Sequence, residues 1–450
     1  MYTKSKMKFM SILLFAVVAC AVLVLWSSQA SAVIPYLTER VNLTPSGGQS
    51  TGNVQADPTL SQDGRYAAFF TSSTDIVAGD TNGRPDVFVR NLKSGVAVRA
   101  NLDSLGNQLD VATGDYELSG NGRFVVFSSR GSSIVPGDTN GYYDLFLRDL
   151  KANTTQIVSL TSTNGLLNNS VRSVDFDISA DGRYVVFSTA ATNVVTGSDT
   201  NNSDDVFIRD VKLGTTTLLS KNSAGSFGNS TSLRPSISCD GAYVTFQSLA
   251  TNLVSEDTNA TGDIFLIERL SNDSISNVTI GGNGSINISG YGDISCNGET
   301  IVFSSDASNL VSGDTNDTWD IFAYGMIDKV FQRVNLDSSG NQTGDAYHVV
   351  SNIVKNNIDF SGRYVVFSSH SPDLVLGDTN GQEDVFLRDL QDGTTQIVSK
   401  RNSTTQSTGI SHRPSISLNG MDIIYVSSDG GLVTGDTGGY TDIFVSKTGI

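Results

Sequence analysis

Apolar residues along the chain come in short bursts. Tyr184-Val185-Val186-Phe187 and Val385-Phe386-Leu387 are typical, and each burst is closed off by Gly, Asn, Asp or Ser. No window carries a helical period. A half-solvated strand would alternate apolar and polar side chains, so runs with adjacent apolar residues predict strands covered on both faces. Asp-Gly and Asn-Gly steps between the runs predict tight antiparallel turns, because glycine accepts positive φ cheaply.

The pattern repeats. The stretch GDTNGRPDVFVR from Gly79 returns as GDTNGYYDLFLR, SDTNNSDDVFIR, EDTNATGDIFLI, GDTNDTWDIFAY, GDTNGQEDVFLR and GDTGGYTDIFVS. Its opening aspartates, Asp80 to Asp436, are separated by 58, 61, 58, 57, 64 and 58 residues. Each unit reads as a segment such as RPSIS, a turn, an apolar run, a long loop ending in the motif, a DVFLRDL run, a second turn and TTQIVS. That makes four antiparallel strands, A to D. Seven such sheets stacked face to face in a ring cover both faces of every strand, which predicts an all-β, seven-bladed β-propeller. Phe88, Phe146, Phe207, Phe265, Phe322, Phe386 and Phe444 recur once per unit and are expected to wedge between neighbouring blades.

The last unit stops at DIFVSKTGI, without a strand D. Arg40–Gln49 matches Arg333–Gln342, the fifth strand D and its exit, at seven of ten positions. The N-terminal strand is therefore expected to complete the last blade and remove its open edge. The recurring S-x-D-G-x-x-[VI]-x-[FY]-x-S followed by N-x-x-D-[IV]-[FY] resembles the TolB-type, WD-like propeller repeat. The resemblance covers nearly all of the chain after its N-terminal segment. It implies a propeller and leaves function open, since that family includes periplasmic scaffolds, protease-associated propellers and a few lyases.

Lys4, Lys6 and Lys8 precede an apolar run from Phe9 to Trp26, and Ala30 and Ala32 fit a signal-peptidase site. This reads as a signal peptide over residues 1–32, leaving 33–450 as a single propeller domain. Two alternatives are an uncleaved membrane anchor and a lipoprotein attached at Cys20. All three place the chain outside the cytoplasm, as a secreted, periplasmic or cell-surface protein that meets a membrane only through its N-terminus. The formal charge of −17 becomes −20 without the three lysines. Such an acidic surface argues against nucleic acid, whose phosphates need basic side chains. Beyond Cys20 only Cys239 and Cys296 remain, at the same place in neighbouring units. They read either as an inter-blade disulfide or as two small buried side chains.

The motif offers side-chain oxygens at i, i+2 and i+6. Six copies are complete: Asp80, Asn82 and Asp86; Asp138, Asn140 and Asp144; Asp199, Asn201 and Asp205; Asp257, Asn259 and Asp263; Asp314, Asn316 and Asp320; Asp378, Asn380 and Asp384. Hard cations take such ligands, so calcium is one reading. The other is that Asp and Asn satisfy loop backbone in Asx-turns. An EF-hand's remaining ligands are missing, and Gly438 replaces Asn in the last copy. No other cofactor is implied.

The B–C loops and D–A connections should share one face, the natural place for a protein or glycan partner. With no nucleophile motif or phosphate-binding loop in the sequence, the chain reads as a monomeric, non-enzymatic binding or scaffold propeller. The alternative is a metal-assisted, polysaccharide-lyase-like enzyme. It would use His348, His370 and His412, all expected near that face of blades six and seven.

Overall fold

The computed structural model describes residues 37–448, apart from 198, 260, 272, 280–291, 317, 344–355, 403 and 437–438. The sequence segment read as a signal peptide, Cys20 and His348 lie outside the described residues.

Blade two shows how the unit forms. Thr113–Leu118, Phe124–Ser129, Asp144–Asp149 and Thr154–Ile157 make one antiparallel sheet in that order. Between strands A and B the Gly122 amide donates to the Ser119 carbonyl at 2.8 Å. Gly182 makes the same turn in blade three at φ 77°, and a Cβ there would run into the Phe124 ring of blade two. Glycine is thus needed twice, for the left-handed backbone and for the ring that covers it.

The described residues form seven such sheets. In blade six the named strands are Tyr364–Ser369, Asp384–Asp389 and Thr394–Ile397, with an Ile358–Val365 bridge on the inner side. Strand B is buried at five of its six positions in each blade, as expected of a strand covered on both faces. A cross-strand aromatic pair recurs in every blade, from Phe69–Phe88 to Tyr425–Phe444, with ring centroids 5.6–6.2 Å apart. Phe127 and Phe146 of blade two pack against Ala68, Val87 and Val89 of blade one, so the recurrent phenylalanine does wedge between blades. Each such side chain removed from water contributes about 1.5–3 kcal/mol.

Polar rivets join the outer strands. The Thr216 hydroxyl of blade three donates to the Leu160 carbonyl of the preceding connection at 2.7 Å and accepts from Arg209 at 3.1 Å. Thr155 and Thr395 do the same to Leu102 and Leu336. At the centre, Leu60, Leu118, Ile178, Ile237, Ile294, Ile358 and Ile416, one from each blade, narrow the channel to a cavity of about 50 Å³ shared with Asp177 and Asp293.

The ring closes as its ends suggested. Leu37–Arg40 pairs antiparallel with Asp442–Lys447, placing Arg40 opposite Phe444. The last sheet takes three strands from the C-terminus and one from the N-terminus. Among the described residues, no helix is long and apolar enough to cross a membrane.

Candidate functional site

The six motif loops that carry an asparagine are built the same way up to their aspartates. The asparagine side-chain oxygen accepts from the backbone amide two residues on: Arg84 to Asn82 at 2.9 Å, Tyr142 to Asn140 at 3.0 Å, Gln382 to Asn380 at 2.8 Å. Asn201, Asn259 and Asn316 accept likewise from Ser203, Thr261 and Thr318. These are Asx-turns, and they use one lone pair of each amide oxygen. The second aspartate opens strand C. One of its oxygens accepts from a polar side chain just past strand D: Asn101 to Asp86 at 2.6 Å, Ser159 to Asp144 at 2.6 Å, Ser220 to Asp205 at 2.7 Å.

Beyond that the blades divide. In blade one the Arg99 guanidinium of strand D lies between both carboxylates, 3.1 Å from Asp80 and 3.3 Å from Asp86. Gln108 adds an amide to Asp80 at 2.9 Å. Blade five repeats the set with Arg333, 3.0 Å from Asp314 and 3.4 Å from Asp320, together with Asn335 and Gln342. Blade seven repeats it with Arg40, Asn42 and Gln49 around Asp436 and Asp442. In blade six Ile397 stands at the arginine position, and Gln406 alone bridges Asp378 and Asp384, at 2.7 Å to each. In blade three Leu218 and Phe227 take the arginine and glutamine positions, and Asn201 reaches Asp205 at 3.3 Å.

In blade two the arginine position is Ile157 and the glutamine position is Leu166. Asp138 Oδ1 and Asp144 Oδ2 are buried and have no partner at full hydrogen-bond geometry, with neutral Asn140 nearby. Burial pushes Asp144 up to about 6, with Asp138 adding repulsion. Blade four leaves Asp257 Oδ1 and Asp263 Oδ2 in the same condition, beside Asn277 and Thr279.

The arginines escaped a reading that looked only at the motif. Their signal is nonetheless in the sequence: R-x-N-L occurs as RVNL at Arg40, RANL at Arg99 and RVNL at Arg333, in the three blades with a guanidinium between the aspartates.

The other candidates fall elsewhere. His412 and His370 lie close enough to interact electrostatically, and His412 Nδ1 is 3.8 Å from Glu383. Burial lowers the His412 imidazole below its usual range, against the pull of Glu383. Among the described residues no group of three or more His, Cys, Asp or Glu side chains converges as metal ligands. Cys239 and Cys296 are joined as a disulfide between strand-A ends of blades four and five, with Cα atoms 4.6 Å apart. On the B–C loop side of blade three lies an open cleft of about 810 Å³, lined by Thr217, Lys221, Ser226, Phe227, Asn229 and Asn252 among others.

No known family profile matches the chain, and no curated protein matches it in sequence. Solved structures do. An oligogalacturonate lyase from Vibrio parahaemolyticus aligns at TM-score 0.52 and 12% identity, over 92% of this chain and 97% of that one. The β-propeller domain of the Trilobed protease from Pyrococcus furiosus, described as having an open velcro topology, aligns at TM-score 0.50 and 10% identity over 89% and 98%. TolB from Acinetobacter baumannii aligns at TM-score 0.37 and 12% identity over 94% and 82%. At these identities the likeness is one of fold: a seven-bladed propeller, closed here by its N-terminal strand.

Proposed function

We propose that the chain is an extracytoplasmic binding propeller whose B–C loop face recognises a glycan. The observation that carries this is the blade-three cleft. Phe227 and Leu218, which line it, stand where blades one and five have glutamine and arginine. The cleft combines a half-buried aromatic face with exposed hydroxyl and amide groups, the mix that suits the apolar and hydroxylated sides of a sugar ring. Its wall is held in advance: the Asn229 amide donates to Asn252 at 2.8 Å, and Asn252 donates to the Phe227 carbonyl at 3.1 Å. The disulfide supports an oxidising compartment. So does the apolar N-terminal sequence. The test is a glycan array probed with the full chain, followed by calorimetry. Thr217→Lys, an exposed change that fills the cleft, is expected to lower affinity at least about tenfold, about 1.4 kcal/mol, without changing the melting temperature. Equal binding by parent and variant would remove the cleft from the reading.

A second reading, a metal-assisted lyase, keeps one observation in its favour, the proximity of His370, His412 and Glu383. Transition metal measured in untagged protein decides it. About one ion per chain, lost in His370→Ala, would support catalysis, and a trace amount would end that reading.

A further inference from the structure

The seven loops place two aspartates at one spot, and three blades answer with a positive charge of their own. Arg99, Arg333 and Arg40 each come within 2.9–3.5 Å of both carboxylates. Blade two has the same aspartates without the cation. Asp138 is 5% exposed and Asp144 0%, yet Asp138 Oδ1 and Asp144 Oδ2 have no partner at full hydrogen-bond geometry, and the neutral Asn140 beside them supplies no countercharge. Neither residue has an ion-pair partner among the described residues. Burying two carboxylates side by side without a countercharge is unfavourable unless a proton or an ion joins them. Blade four repeats the arrangement with Asp257 and Asp263.

We propose that the loops of blades two and four each bind a calcium ion, and that the arginines of blades one, five and seven are built-in substitutes for that ion. The oxygens offered are Asp138 Oδ1 and Asp144 Oδ2, while the Asn140 oxygen accepts the Tyr142 amide. Backbone carbonyls and water complete the six to eight ligands that calcium takes. All-oxygen donors exclude the softer metals, and a set with only two carboxylates suits the weak, roughly 10⁻⁴–10⁻³ M range of extracellular calcium modules. The inference is independent of the glycan reading, because it concerns different loops and its readout is the ion itself.

The experiment uses the full chain, stripped with chelator and equilibrated with about 2 mM calcium. Bound ion is counted by atomic emission, and melting is followed as calcium is raised. The expected result is about two ions per chain and a melting temperature that climbs with the logarithm of free calcium. The triple variant Ile157→Arg, Ser159→Asn, Leu166→Gln transplants the blade-one arrangement. It should bind one ion fewer and, in chelator, melt above the parent. Should that variant not fold, Asp138→Asn with Asp144→Asn should also bind one ion fewer. No bound ion in the parent, with melting indifferent to calcium, would mean that a shared proton alone satisfies the pair and would overturn the proposal. Ion counts unchanged in the substituted chains would overturn it equally.

Discussion

Arg40 and Asp436 lie 396 residues apart in sequence and meet at 2.9 Å, with both side chains buried. The same guanidinium is 3.5 Å from Asp442. The strand that closes the ring therefore supplies both a sheet edge and a cation facing the two aspartates of the last blade. Arg40→Ala should cost about 3–5 kcal/mol in urea unfolding, because it leaves two carboxylates buried without the Arg40 countercharge. Arg183→Ala, at the solvent-screened pair with Asp210, should cost far less. Equal losses would show that the closure depends on the strand's backbone alone.

Arg99→Ala together with Gln108→Leu turns blade one into a likeness of blade two. In chelator it should lose a similar amount, about 3–5 kcal/mol. Millimolar calcium should then return part of that stability to the variant, beyond what it adds to the parent. A variant whose midpoint responds to calcium no more than the parent's would show that the vacated guanidinium position cannot take an ion.

The Cys239–Cys296 link closes a loop of 57 residues. On a chain-entropy estimate that stabilises the fold by about 4 kcal/mol. The double variant Cys239→Ser, Cys296→Ser should lose that amount at every pH, whereas reductant should destabilise the parent and leave the variant unchanged. A parent indifferent to reductant would show that the bond contributes little.

The fold could be read from the sequence because its cause is local and repeated. Tyr184-Val185-Val186-Phe187 is apolar at consecutive positions since both faces of strand B meet another blade, and Gly182 marks the turn before it. Closure was legible because Arg40–Gln49 copies a strand D. The division among the loops was harder to see. R-x-N-L is plain in three copies, but its meaning depends on the register that sets Arg99 opposite Phe88 and so beneath Asp80 and Asp86. Nothing in strand-D composition states that register. The blade-three cleft was hidden for the same reason: Phe227 means something only once Gln108 is seen to fill its position in blade one. The cysteines matched in position along their repeats, but only packing shows how closely neighbouring inner strands approach.

Asp293 gives the fold a pH dependence that can be isolated. It lies on strand A of blade five, where the Ser236 hydroxyl donates to one oxygen at 3.0 Å and the Asn357 amide to the other at 2.8 Å. Asp177 of blade three is the charged group facing it. Burial, with repulsion from Asp177, pushes its carboxyl up to about 7, from an ordinary value of 3.8. The folded protein therefore holds a proton that the unfolded chain releases. Stability from this group is complete below pH 4 and is lost as pH rises through 7. Asp205, raised to about 7, acts in the same direction. Asp149 and Asp429, held near 2, add stability that disappears only below pH 4. Asp293→Asn removes the titration and keeps the shape, since its amide oxygen can accept from Asn357 while its NH₂ donates to Ser236. The variant should match the parent near pH 3 and exceed it at pH 8 by up to about 4 kcal/mol, the equivalent of a shift of about three units. Parallel stability curves for the two proteins between pH 5 and 8 would show that Asp293 is ionised in the fold throughout that range, and that the channel wall stabilises its charge.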